Sequence, residues 1–322
     1  MRRMIVLGAV ALGVASFALP ASAQEYAPPI PFRLLSDPAY LPMQGQWYGS
    51  SSFSLAQGGS DEYDSTGAKI VTHRHWDDEI SQELEYGITD EFALDVADTY
   101  DPFDKHKDEA AGGGFSDNDK SGFHDPSVGV TWRVIDQASH QPVSLDLLAN
   151  YTANLIAAQT TNVAEGGQSG EFGAAVSKVM PGSTIYGKLA ADWYGDQSQF
   201  NPANGNFIRE QSYWDYLVDL ETQTRLSDLF SINAGAGYIF ANNARVMNLT
   251  SGIDHMAEPG DGLKLDAALN YLIVPYPVVV SLTYDYRRDD GGQKIFALPV
   301  DDTTTRNRDN NTVGVRFVYD TP

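Results

Sequence analysis

Apolar and polar residues alternate with period two along one stretch after another of this chain, which commits it to strands with one greasy face and one wet face. Near the C-terminus Val313, Val315, Phe317 and Tyr319 oppose Thr312, Gly314, Arg316 and Asp320. Upstream, Val278, Val280, Leu282, Tyr284 and Tyr286 alternate with Ser281, Thr283, Asp285 and Arg287, and Leu263, Leu265, Ala267, Leu269 and Tyr271 with Lys264, Asp266, Ala268 and Asn270. The pattern returns at 230–240, 214–221 and 143–151, and further segments fall near 183–194, 170–180, 127–135, 91–100, 71–87 and 43–55. That is about twelve strands, an even number as single-chain bacterial membrane barrels have.

Connection lengths test this reading independently. Tight connections are expected at Gly87–Glu91, Asp136–Gln141, Pro181–Gly182, Leu226–Asp228 and Val274–Pro277. Long ones, rich in Gly, Asp, Asn and Thr, are expected at 56–68, 101–125, 156–169, 195–209, 241–261 and 288–310. Short and long alternate throughout, as in a barrel with periplasmic turns and extracellular loops and not as in a soluble sandwich. The expected fold is therefore all-β, a transmembrane up-and-down antiparallel β-barrel occupying residues 43–322.

The start of the chain gives the compartment. Arg2 and Arg3 precede an apolar run from Met4 to Leu19 that ends in Ala21-Ser22-Ala23, the pattern of a cleaved signal peptide over residues 1–23. Nineteen basic residues then face forty-three acidic ones, a charge of −24 that disfavours nucleic acid as a partner. The chain has no cysteine, so neither disulfides nor thiol chemistry is open to it. Residues 24–42 carry five prolines and read as a periplasmic arm, either a tether or a plug that docks Ile30, Phe32, Leu34, Leu35 and Leu41 in the barrel mouth.

Trp76 and Tyr86, like Phe230 and Phe240, are spaced to mark the two edges of a lipid-facing band. The segment 73–86 also puts Asp78 and Gln82 on the face of Trp76, Ile80, Leu84 and Tyr86. Either a bulge re-registers this strand or Asp78 lies above the lipid.

The inward face is acidic. It holds Asp77, Glu79, Glu83, Glu85 and Asp95 in the first half, with Asp146, Glu171 and Asp192 after them. The second half adds Asp215, Asp219, Glu221, Asp266, Asp285 and Asp320. Against these stand Arg133, Lys188, Lys264, Arg287 and Arg316, leaving a luminal charge of about −9. A wet lumen of that sign favours cations, and a filled one must pair or protonate its acids.

Three smaller constellations carry possible chemistry. His73, His75 and Asp77 follow at i, i+2 spacing and point to one side of a strand, as ligands of a divalent metal could. Asp117, Asp119 and Ser121, with Gly122 and then Asp125, resemble the first half of a calcium loop, although Val128 stands where the bidentate Glu would be. Ser127 beside His124 and Asp125 is the one candidate nucleophile near a base, with no sign of an oxyanion hole, so no catalytic residue and no enzyme is expected. Outside a possible calcium in an extracellular loop, no cofactor is expected.

The stretches Leu84-Glu85-Tyr86-Gly87-Ile88-Thr89-Asp90-Glu91-Phe92 and Gly122-Phe123-His124-Asp125-Pro126-Ser127-Val128-Gly129-Val130 resemble the outer-membrane transporters assigned to the MetA pathway of phenol degradation. The resemblance implies a barrel that passes aromatic or other apolar compounds, whereas the luminal charge points to cations or polar solutes. Together the observations imply a passive outer-membrane channel of a Gram-negative bacterium, with lipid, lipopolysaccharide and a small solute as partners. The alternatives are a closed barrel with a structural or adhesive role through its acidic loops, and a membrane-embedded lipid hydrolase.

Overall fold

The computed structural model describes residues 35–159, 162–164, 166–201, 205–296 and 302–321. The signal-peptide segment and residues 24–34 of the arm lie outside them. The strands are β1 (Trp47–Asp64), β2 (Lys69–Thr89), β3 (Phe92–Ala110), β4 (Phe115–Phe123), β5 (Ser127–Ile135), β6 (Ser144–Thr152), β7 (Ser169–Met180), β8 (Ser183–Tyr194) and β9 (Gln197–Asn201). They continue as β10 (Asn206–Glu210), β11 (Tyr213–Arg225), β12 (Phe230–Phe240), β13 (Ala244–Asn248), β14 (Asp254–Glu258), β15 (Gly262–Ile273), β16 (Val278–Asp289), β17 (Gly292–Phe296) and β18 (Thr303–Thr321). The one helical element among the described residues is a single 3-10 turn, Gln137–Ser139.

Twelve of these strands form the wall. β1, β2, β3, β5, β6, β7, β8, β11, β12, β15, β16 and β18 each pair antiparallel with the one before. β18 closes on β1 from Trp47↔Thr321 to Asp64↔Thr303, so the sheet has no free edge. The expected up-and-down barrel is the one that forms.

The long connections are where expectation and structure part. Residues 56–64, 101–110 and 303–310 continue the wall strands, and β4, β9, β10, β13, β14 and β17 prolong the wall at the same end. Gly-, Asp- and Asn-rich sequence marks loops by frequency, but a backbone beside an already extended neighbour gains a full ladder of hydrogen bonds by pairing with it. At the other end the turns are as short as expected: Asp90-Glu91 joins β2 to β3, and Pro181-Gly182, with Gly182 at φ +81°, joins β7 to β8. We call the two the extended end and the short-turn end.

The face rule holds around the ring. Leu84, Leu94, Val96, Val128, Leu147, Phe172, Leu189, Val218, Leu220, Leu265, Leu269, Leu282 and Phe317 are all exposed on the outside, while the residues alternating with them are covered. A band of this breadth has no place in water and suits hydrocarbon. Aromatic pairs edge it: Trp47 with Tyr86 and Phe230 with Tyr271 toward the short turns, Tyr100 with Phe123 and Tyr194 with Tyr213 toward the extended end. Beside β2 the upper edge is thus formed by Tyr100 and Phe123, with Trp76 two steps beyond Asp78 on the same face.

Asp78 resolves through the neighbouring strand. β2 runs in unbroken register against β1 from Trp47↔Tyr86 to Glu62↔Val71, so Asp78 stays outside, opposite Leu55. The bulge is in β3: Asp78 faces Phe103 and Ile80 faces Tyr100, so an extra residue sits at Asp101-Pro102, where proline cannot donate to the ladder. Asp78 lies just past the level of Tyr100, at the upper edge of the band.

Candidate functional site: the lumen

Two layers of different chemistry line the barrel. Nearest the short turns is a belt of small neutral groups, Ser144, Ser177, Thr184, Gln223, Ser231, Asn270 and Ser281, all buried. Many bond to one another: Ser281 Oγ donates to Asn270 Oδ1 at 2.7 Å, and Asn270 Nδ2 donates to Ser231 Oγ at 3.1 Å and to Asn233 Oδ1 at 2.8 Å. The belt also holds one full ion pair, in which Arg133 Nε and Nη2 grip the two oxygens of Asp146 at 2.8 and 3.0 Å. Against this belt lie the described part of the arm, 35–42, and the residues 43–46 that lead into β1.

Above the belt the lining turns acidic. The bulge in β3 sets Asp101 and Asp104 three residues apart yet both inward, beside Asp77 and Glu79 of β2. Carboxylate oxygens of Asp77, Glu79 and Asp101 come within 4.8 Å of one another, as do those of Asp219, Glu221 and Asp266 across the barrel. Lys264 Nζ lies 3.6 Å from Asp219 and 3.9 Å from Asp266, with Asp285 close by. In the first group His124 Nε2 meets Asp101 Oδ2 at 2.8 Å and Ser81 Oγ donates to Glu79 Oε1 at 2.5 Å. Oδ1 of Asp77, Asp101, Asp219 and Asp266 is buried without a hydrogen bond from any described group. Both groups have the oxygen donors a hard divalent cation takes.

The remaining expected lining residues occupy the same inner surface. Ser50 Oγ donates to Glu83 at 3.0 Å and Arg316 approaches it at 3.5 Å, while Glu85 lies between Glu83, Asp95 and Arg133. Lys188 pairs with Glu171 at 2.6 Å, and Asp192 sits beside that pair and Asp215, which accepts the Asn242 amide at 2.8 Å. Asp95 and Asp266 lie flat over Gly129 and Gly235, where an added Cβ would come within 2.3 and 2.5 Å of their carboxylates. Arg287 turns to Asp289, a buried acid the alternation did not single out.

The smaller constellations are dispersed. His73 lies beyond the upper aromatics, its Nδ1 on Asp108 at 2.7 Å and Nε2 on Glu62 at 3.1 Å, while His75 stacks on His106 and Asp77 joins the acidic group. Asp117, Asp119 and Ser121 belong to extended β4 and do not coil into a loop; Lys105 lies 3.4 and 3.9 Å from the two acids. Asp125 instead accepts the amides of Leu155 and Ile156. His124 Nε2 meets Asp101 Oδ2 at 2.8 Å.

Outside the membrane band the Glu62 and His73 cluster has shifted titration. Hydrogen bonding from His73, then from Thr303 and Lys294, holds Glu62 down at about 2, against the opposing effect of burial. Glu62 in turn raises His73, with Asp108 adding to the effect.

No family model matches the chain, and no curated protein does. Solved structures match its fold. The COG4313 outer membrane channel from Pseudomonas putida F1 is 15% identical over 88% of this chain and 97% of that one, with a TM-score of 0.59. The transport unit of the autotransporter AIDA-I from Escherichia coli is 11% identical over 87% of this chain and 92% of that one, with a TM-score of 0.56. The class they define is the outer-membrane β-barrel. At such identities the likeness is one of fold alone.

Proposed function

We propose that this protein is a channel in the outer membrane of a Gram-negative bacterium, through which small cations or polar solutes pass passively along an acidic lumen. The observation that carries this reading is the set of buried, unbonded carboxylate oxygens of Asp77, Asp101, Asp219 and Asp266. In a dry packed interior an acceptor left without a donor costs about 1–3 kcal/mol, even where His124 or Lys264 stands near the acid. The excess of inward carboxylates over basic partners at this level gives a wet lumen a negative potential that draws cations in. The resemblance to aromatic-compound transporters suggests apolar solutes, but the described lining offers them little surface.

Reconstitution in planar bilayers tests the proposal. Single-channel steps with potassium favoured over chloride are expected, and Asp77→Asn/Glu79→Gln/Asp101→Asn should lower that preference several-fold. Anion selectivity in the wild-type protein overturns the reading.

A further inference from the structure

Residues 35–46 do not hang below the barrel; they cross its interior. Gln223 Nε2 of β11 donates to Ser36 Oγ at 2.7 Å, and Asn233 Nδ2 of β12 donates to the Ser36 carbonyl at 2.9 Å. Thr184 Oγ1 of β8 donates to Asp37 Oδ2 at 2.5 Å, and Arg133 Nη2 of β5 donates to the Ala39 carbonyl at 2.9 Å. Tyr40 then stacks on Tyr48 of β1 and donates its hydroxyl to Asp320 of β18 at 2.8 Å. Within five residues the arm has touched opposite sides of the wall.

Its seat is built for it. Asp37 is 5% exposed and Ala39 2%, the latter clustered with Ala175 and Tyr186. Gly87 at the end of β2 is bracketed, accepting from Gly45 N and donating to Gln46 O. A Cβ on Gly87 would stand 2.1 Å from the Met43 carbonyl and 2.6 Å from that of Pro42, so this glycine is what lets the arm lie against the wall. Between Leu35, Ser36 and β12, β15 and β16 lies a small pocket of about 30 Å³, room for a water or two.

We propose that residues 35–46 form a strap that closes the short-turn mouth of the lumen, and that solute passage requires the strap to leave its seat. This rests on the channel reading for its second half only. The hold is by hydrogen bonds, two of them to the carboxylates of Asp37 and Asp320, and by one arginine, a set that can exchange for water once the strap moves.

The chain has no cysteine, so thiols report cleanly. In full-length Ala39→Cys protein, a charged maleimide should label the thiol slowly, and Gly87→Ala should speed labelling at least tenfold. Thr184→Val/Gln223→Ala serves the same purpose should Gly87→Ala fail to form a heat-modifiable barrel. Equal labelling with and without these changes overturns the strap. In bilayers, Ala39→Cys/Ala175→Cys joined through its two thiols should be silent, and the unjoined protein should conduct. Equal, non-zero conductance of the two also overturns it. Silence of every variant, with the labelling difference intact, leaves the seated strap standing and overturns the channel.

Discussion

The two ends of the lumen are made of different polar groups. The short-turn end uses serine, threonine, asparagine and glutamine, buried and hydrogen-bonded to one another and to residues 36–40, with Arg133 and Asp146 paired in both donors and acceptors and with the acids Asp37 and Asp320 taking up Thr184 and Tyr40. Higher up, aspartates outnumber their partners and leave oxygens unbonded. A neutral amide or hydroxyl is satisfied by protein at modest cost, whereas a carboxylate without a partner needs water or a cation. The lower layer is therefore a seat for protein and the upper one a surface for solvent.

The largest effect on this contrast should come from breaking the paired charge below. Arg133→Ala strands the Asp146 carboxylate and removes the donor to Ala39, and is expected to cost about 3–5 kcal/mol in detergent unfolding measurements. Asp219→Asn, in the upper layer, removes a charge that is not fully compensated, and should leave the unfolding midpoint nearly unchanged while shifting ion selectivity. Equal destabilisation by the two would abolish the distinction. A middle-sized effect is expected from Thr184→Val, about 1.5–3 kcal/mol for a bond to a carboxylate, seen as release of the strap before the barrel unfolds.

The smallest effect belongs to the extended end. Glu62 is held low, so its contribution is complete above its ordinary value of 4.5 and is lost as pH falls toward about 2. His73 is raised, so its contribution is complete below 6.5 and is lost as pH rises through its folded value. Hydrogen-exchange protection, corrected for the intrinsic rate at each pH, should be greatest at the tips of β1 to β3 between those limits. Glu62→Gln should bring the His73 titration down toward 6.5 by NMR, and an unmoved titration would remove Glu62 as its cause.

Strand number, faces and short turns were legible in the sequence because the period-two pattern and the membrane's demand for an apolar exterior act together, as at Leu263–Tyr271. The extended end was not legible: strand pairing there depends on neighbouring backbone, and residues such as Asp117 and Asp119 look alike in a loop and in β4. Asp101 was missed because 101–125 reads as a loop, whereas β3 runs on to Ala110 with a bulge at Asp101-Pro102 that sets Asp101 inward. The arm showed itself as proline-rich, but its partners lie as far away as Asp320, beyond the reach of any local pattern.

The seam between β1 and β18 has a consequence for biogenesis. Until the last strand arrives, the first keeps a bare row of amides and carbonyls that hydrocarbon will not tolerate. Insertion must wait for the final segment or be shielded by another sheet edge, and a chain stopped before Thr303 would meet the bilayer as a sheet it cannot enter.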